Sequence, residues 1–214
     1  MDEMKCLLRA GARYRFCSLL FRYPSEDVIS AASALVDTLA SEVQRDASEL
    51  VGLMASAQAR TEYHFLLGSG GSVSPYESAY QTDGGARDKG AVLGDVAGFY
   101  RAFDFEHMRD AREAPDHVAV ELAFLSFLKL KAAYALMNRD EGAHRICRDA
   151  EERFLDDHLS GWLPEFLKRI GERAASEFYR RAARLTTETQ KHRERPTIGR
   201  GRRGRCGRTR TYTG

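Results

Sequence analysis

Pro115-Asp116-His117 runs directly into Val118-Ala-Val-Glu121-Leu122-Ala-Phe124-Leu-Ser-Phe-Leu128, an acid and histidine cluster set at the start of a long apolar run. On a helix, His117 and Glu121 stand four residues apart on one face. Asp116 then lies beside them at the positive end of the helix dipole, and Pro115 suits a first helical turn. Two carboxylates and an imidazole at this spacing can grip a cationic group or a peptide backbone through charge-assisted hydrogen bonds. The competing reading is that Asp116 and Glu121 are ordinary capping residues. Catalysis asks for more: a nucleophile, a polarising group or a metal set within reach of the histidine, and no such arrangement accompanies His117. The pattern points to recognition and away from an enzyme.

A second cluster lies upstream. The stretch from Gly68 to Pro75 is rich in glycine and serine, and the polar composition continues to Gly90, so a long connection with a flexible start is expected. Within it, Pro75, Tyr76, Glu77 and Tyr80 are the residues expected to order against the body. Either the tyrosines only pin the loop, or they frame a peptide groove with Glu77. His144 and His158 do not share a helical turn, and Cys6, Cys17, Cys147 and Cys206 are too dispersed for a zinc knuckle or a redox pair. No metal and no cofactor is expected, and the thiols should be reduced.

The elements that must carry these residues are helical. Tyr14, Cys17, Leu20 and Phe21 recur at helical spacing from Ala10 to Phe21, and Ser25 caps a second helix through Val28, Ala32, Leu35 and Leu39. A third run is read as one helix from Ser48 to Leu67. Another begins at Asp140 and reaches Leu159. A turn at Trp162-Leu163-Pro164 should then open the last helix, with Trp162 as a core anchor. No alternating strand pattern of useful length occurs, so the fold class is all-α.

The 214 residues, 43% hydrophobic and 30% charged, suit a globular protein with a sizeable core. The most apolar stretch, Val118 to Leu136, is interrupted by Glu121, Lys129 and Lys131, so it predicts a buried amphipathic helix and no membrane span. The N-terminus lacks a basic start followed by an apolar run, which leads us to expect a cytoplasmic protein.

The stretch Ala114-Pro-Asp-His-Val-Ala-Val-Glu-Leu-Ala-Phe-Leu resembles the signature of the TorD/DmsD/NarJ family, the redox enzyme maturation chaperones. Tyr14 to Pro24 is similar to that family's aromatic first helix, Pro75-Tyr76-Glu77-Ser78-Ala-Tyr80 to its loop before Gly98-Phe99-Tyr100, and Phe154 to Phe166 to its late helix pair. The resemblance spans roughly residues 8 to 185. It implies a helical bundle of two subdomains: an N-terminal part to about residue 103, a polar hinge at 104–114 and a C-terminal part over 115–190. It also implies a chaperone without a cofactor of its own. Its partner would be the catalytic subunit of a molybdenum oxidoreductase, held through its twin-arginine signal peptide until the cofactor is inserted, with the cofactor insertion machinery as a further partner. Asp116, His117, Glu121 and Glu77 would face the basic pair, and Tyr76, Tyr80, Tyr14, Phe103, Phe124 and Leu128 would supply the apolar surface. Monomer and homodimer remain open.

The chain departs from that resemblance at its end. Nine of the 33 basic residues and one of the 31 acidic ones lie from Lys191 onward, so residues 1–190 carry a formal charge of −6 while the whole chain is +2. Such a glycine- and arginine-rich tail, 191–214, is expected to be disordered. It supports an alternative of another class, a nucleic-acid-binding protein acting through the tail, although no stable nucleic acid is expected on the body. A third reading is an assembly factor that grips only the folded body of its client.

Overall fold

The computed structural model describes residues 3–80, 89–106 and 113–193. In chain order the helices are α1 (Glu3–Leu20), α2 (Glu26–Leu35), α3 (Ser41–Met54), α4 (Ala57–Leu66), α5 (Lys89–Ala102), α6 (Val118–Met137), α7 (Glu141–Phe154), α8 (Ser160–Arg173) and α9 (Glu177–Arg193). Among the described residues there is no strand, only an isolated antiparallel bridge between Tyr76 and His117. The all-α expectation holds, and none of the described helices is long and apolar enough to cross a membrane.

α6 is the axis of the fold. α1 packs along its length, α7 covers a second side, and α9 reaches across to α1 and α3. One apolar cluster runs from Tyr14 to Leu185, so residues on both sides of 104–114 share a single core. Phe16, Phe21, Phe124, Phe154, Phe166 and Trp162 are its largest buried side chains. Each contributes roughly 1.5–3 kcal/mol by leaving water. Trp162 is thus the core anchor its position suggested. Cys17 is buried too, its sulfur 3.5 Å from Thr189 Oγ1, and burial pushes its thiol up.

Several boundaries differ from the sequence reading. The run expected as one helix from Ser48 to Leu67 starts earlier and is broken. α3 ends at Met54, and Ser56 turns extended to accept a hydrogen bond from Ala59 N–H at 3.1 Å, which restarts the chain as α4. The second helix ends at Leu35 and tightens into a 3-10 turn at Val36–Thr38. The expected break at Trp162–Pro164 is absent. The chain passes from α7 through a π turn at Leu155–Leu159 into α8, with Pro164 inside that helix. Pro164 has no N–H to give the Ser160 carbonyl, and the helix carries it just after the widened turn.

The glycine-rich stretch is a hydrogen-bonded turn where flexibility was expected. Ser72 and Val73 N–H groups donate to the Phe65 and Leu66 carbonyls at 3.0 and 2.9 Å, and Val73 is buried. A Cβ at Gly68 would lie 2.7 Å from the His64 carbonyl oxygen, so the residue type follows from close packing of backbone on backbone. Of the expected tail, residues 191–193 belong to α9, and the remainder lies outside the described residues, as do 107–112 of the expected hinge.

Candidate functional site

α6 does not begin at Pro115. It begins at Val118, because His117 is its N-cap: the ring Nδ1 accepts from Ala119 N–H at 3.1 Å. Residues 114–118 are held instead by the loop before α5. Glu77 N–H donates to the Asp116 carbonyl and Val118 N–H to the Pro75 carbonyl, both at 2.9 Å. The Asp116 carboxylate caps the 3-10 turn Glu77–Ala79, accepting from Ser78 N–H at 3.2 Å, where a role at the start of α6 was expected. Tyr100 Oη on α5 donates to the Pro115 carbonyl at 2.9 Å, and Tyr76 Oη to Glu113 at 3.3 Å. The loop and the signature segment are thus latched together.

Under this latch lies a buried cluster of ionisable side chains. Glu77, Asp116, His117, Glu121 and His158 are all fully buried or nearly so. Glu77 meets His158 Nδ1 at 3.0 Å, and the other ring nitrogen stands 3.8 Å from Asp95. The π turn sets His158 between the rings of Phe99 and Phe154. Burial, then Glu77, then Asp116 raise the Glu121 carboxyl well above its usual range, with the Trp162 indole acting the other way. Glu121 is therefore a neutral acid. Burial, aided by Arg22, lowers His117 to about 3, so its imidazole is neutral and carries its proton on Nε2. That nitrogen is 3.7 Å from Glu113, too far for a hydrogen bond.

The structure thus brings together Asp116, His117, Glu121, Glu77 and Tyr76, whose ring edge meets His117 at 5.2 Å. Tyr80 joins through Trp162, at 5.3 Å between rings, with Arg169 over its other face. The remaining candidates lie apart. Tyr14 is buried beside Leu39 and Val43, Phe124 and Leu128 are inside the core, and Phe103 rests half-buried on Phe124. In this conformation the buried cluster offers no surface to a peptide. Its neutral Glu121 and His117 form a fixed core, in place of the exposed grip that their spacing suggested.

The surface lies on the opposite side of the same segment. A groove of about 660 Å³ runs between α1 and α6, walled by Leu8, Ala12 and Arg15 on one side and Phe105 at one end. Its floor is Val120, Ala123, Phe127 and Leu130, and the stripe continues through the exposed Tyr134 and Met137. The steps are three, four, three, four and three residues, the spacing of a coiled-coil seam without a second helix. At a rise of about 1.5 Å per residue the stripe is about 26 Å long. Glu106 and Glu113 line it, and so do Arg9, Arg15 and Arg22. Sequence reasoning passed over these residues because α6 is apolar on every face, so the periodicity that betrays one exposed stripe is drowned by the buried ones. The 3-4 spacing was in the sequence, but nothing there told which stripe lacks a partner.

The described residues form an all-helical body with an apolar groove beside a buried polar latch. The description "nitrate reductase delta subunit" belongs to a family model that matches residues 26–168, and the chain belongs to that family, the TorD/DmsD/NarJ family of the signature above. It is 38% identical over 132 residues to the selenate reductase assembly chaperone protein of Thauera selenatis, covering 61% of this chain and 65% of that one. The chlorate reductase assembly chaperone protein of Ideonella dechloratans is 36% identical over 107 residues, and there the chain spans about half of the relative, 53%. Chaperone protein TorD of Vibrio cholerae is 30% identical over 210 residues, covering 86% and 90%. Among solved structures, a putative redox enzyme maturation protein from Archaeoglobus fulgidus shares the fold with a TM-score of 0.53, at 24% identity over 86% of this chain and 94% of that one.

Proposed function

We propose that this protein is a cytoplasmic assembly chaperone for a molybdenum-containing oxidoreductase, and that it holds the N-terminal signal peptide of the catalytic subunit in the α1–α6 groove until the cofactor is inserted. The observation that carries the reading is the unpaired seam on α6, in a chain whose relatives are named as reductase assembly chaperones. A leader with a basic pair and an apolar stretch would lay the stripe into this seam as a helix. Its cations would meet Glu106 and Glu113, each exposed pair adding about 0.2–1 kcal/mol. Asp116, His117, Glu121, Glu77, Tyr76 and Tyr80 serve by fixing the wall that carries Ala119 and Val120. Tyr14, Phe103, Phe124 and Leu128 serve by packing beneath it. The action is reversible binding and needs no catalytic step.

The test is calorimetric titration of the full chain with the N-terminal peptide of the oxidoreductase subunit it captures. Phe127→Glu removes a burial worth about 2 kcal/mol and should weaken binding roughly thirtyfold with helix content unchanged. Full affinity in that folded variant would sink the groove assignment. Equal affinity for the subunit with and without its leader would select recognition of the client body instead.

A further inference from the structure

A second groove, of about 520 Å³, lies between α8 and α9, away from the α1–α6 seam. Leu163 and Leu167 of α8 and Ala183 of α9 lie beneath it, already buried in the core, and Pro164 and Gly171 are exposed along it. Its rim is basic: Lys168, Arg180, Arg184 and Lys191 line it, and no acidic side chain does. This is unexpected on a body whose first 190 residues carry a formal charge of −6. The neighbouring Arg181 shows what an internally satisfied arginine looks like here, with Glu49, Glu177 and Asp46 at 2.9, 3.4 and 3.5 Å. By contrast, Arg184 and Lys191 have no ion pair among the described residues. Lys168 stands 3.9 Å from Glu165, whose closer partner is Arg169 at 2.8 Å. Arg180 donates to the Ala174 and Ala175 carbonyls at 2.8 Å, which fixes its guanidinium at one end of the groove.

Gly171 lines this groove in the last turn of α8, and a Cβ built on it would meet nothing within 4 Å, as is also true of the helical Gly52, Gly94, Gly98 and Gly161. Glycine there weakens the helix relative to alanine. No contact within this chain uses the missing side chain. A bare backbone on a groove wall permits close approach of a second helix.

We infer that the α8–α9 groove docks an acidic amphipathic helix of a partner protein, laid against the exposed Pro164 and Gly171 with its carboxylates on Arg184, Lys191, Arg180 and Lys168. The chain's own basic end is a poor occupant of a basic rim. The α1–α6 groove is lined by charges of both signs, Glu106 and Glu113 with Arg9, Arg15 and Arg22, and lies apart from this one. Two separate surfaces would let the protein hold two segments at once.

The probe is a synthetic helical peptide with leucine and alanine at three- and four-residue steps and glutamate elsewhere, titrated by fluorescence anisotropy into the full chain. A copy with lysine in place of glutamate and a single-stranded oligonucleotide are the comparison ligands. The acidic peptide should bind, more weakly as salt rises. Arg184→Glu with Lys191→Glu should lower its affinity roughly tenfold or more, and Gly171→Leu should block it sterically while the protein stays folded. Gly171→Ala, which fills open space, serves as the folding control and should raise the thermal midpoint. Equal binding of the lysine peptide overturns the proposal, as does parental affinity in the charge-reversed or Gly171→Leu protein. Groove-dependent binding of the oligonucleotide in place of the peptide would also overturn it. Leader binding in the other groove does not enter either outcome.

Discussion

Replacing Glu121 by glutamine tests the buried cluster most directly. The wild-type carboxyl is held protonated by burial and by Glu77 and Asp116, whereas in the unfolded chain it ionises in the ordinary range. Between those two values the folded state binds one proton more than the unfolded state. Stability therefore falls as pH rises, by about 1.4 kcal/mol per pH unit. His117 acts in the opposite sense: its folded value of about 3 lies below the reference 6.5, so its contribution is complete above pH 6.5 and is lost as pH falls toward 3. Between about 4.5 and 6.5 the two slopes nearly cancel. The buried Cys17 thiol, raised above 9.0, adds its own loss only near and above that pH. The clean window is therefore about pH 6.5 to 8, across which Glu121 makes stability fall as pH rises. Glu121→Gln keeps the shape and a donor toward Glu77 but cannot ionise. Urea unfolding at half-unit pH steps should show the parent losing stability through this window while the variant stays nearly flat. An equal slope in both proteins would refute the protonated-acid account of the cluster.

Other outcomes follow from neighbouring contacts. Glu77→Ala leaves the buried His158 Nδ1 without its partner and should cost about 1–3 kcal/mol, with faster amide exchange in residues 74–80; unchanged exchange there would remove Glu77 from the latch. His117→Ala deletes the cap of α6 and should cost about 1 kcal/mol, and it should also abolish the loss of stability between about pH 4.5 and 3 that urea unfolding would record for the parent. Gly68→Ala forces a Cβ against the His64 carbonyl, so a loss of about 1–3 kcal/mol is expected, and a thermal midpoint at the parental value would show that the turn relaxes freely. Asp116→Asn keeps one acceptor for Ser78 N–H and should leave peptide affinity within about threefold; a larger drop in a protein of unchanged stability would return Asp116 to direct contact with the client.

Local chemistry was legible in the residues themselves. Helical spacing gave the class of fold, Ser25 announced its cap, Asp140 marked where α7 starts, and the Pro75 to Tyr80 segment was marked as the ordered part of its loop. The signature carried the family. Ser56 shows the limit: a serine within a continuous helical pattern starts a new helix only because α3 and α4 must turn to pack, a requirement that lies outside the local sequence. Asp116, His117 and Glu121 show it more sharply. Their spacing fixed that they are neighbours, but burial decided what they are chemically. A carboxylate and imidazole that could grip a cation in water become a neutral acid and a neutral cap once Pro75 to Ala79 closes over them. The seam on α6 is the converse case. Val120, Ala123, Phe127 and Leu130 have the same character as the core residues beside them, and only the path of α1 and α7 around that helix leaves their stripe uncovered. Composition and period determine which residues leave water. Which of those faces stays open for a partner is decided by how many helices there are to cover it.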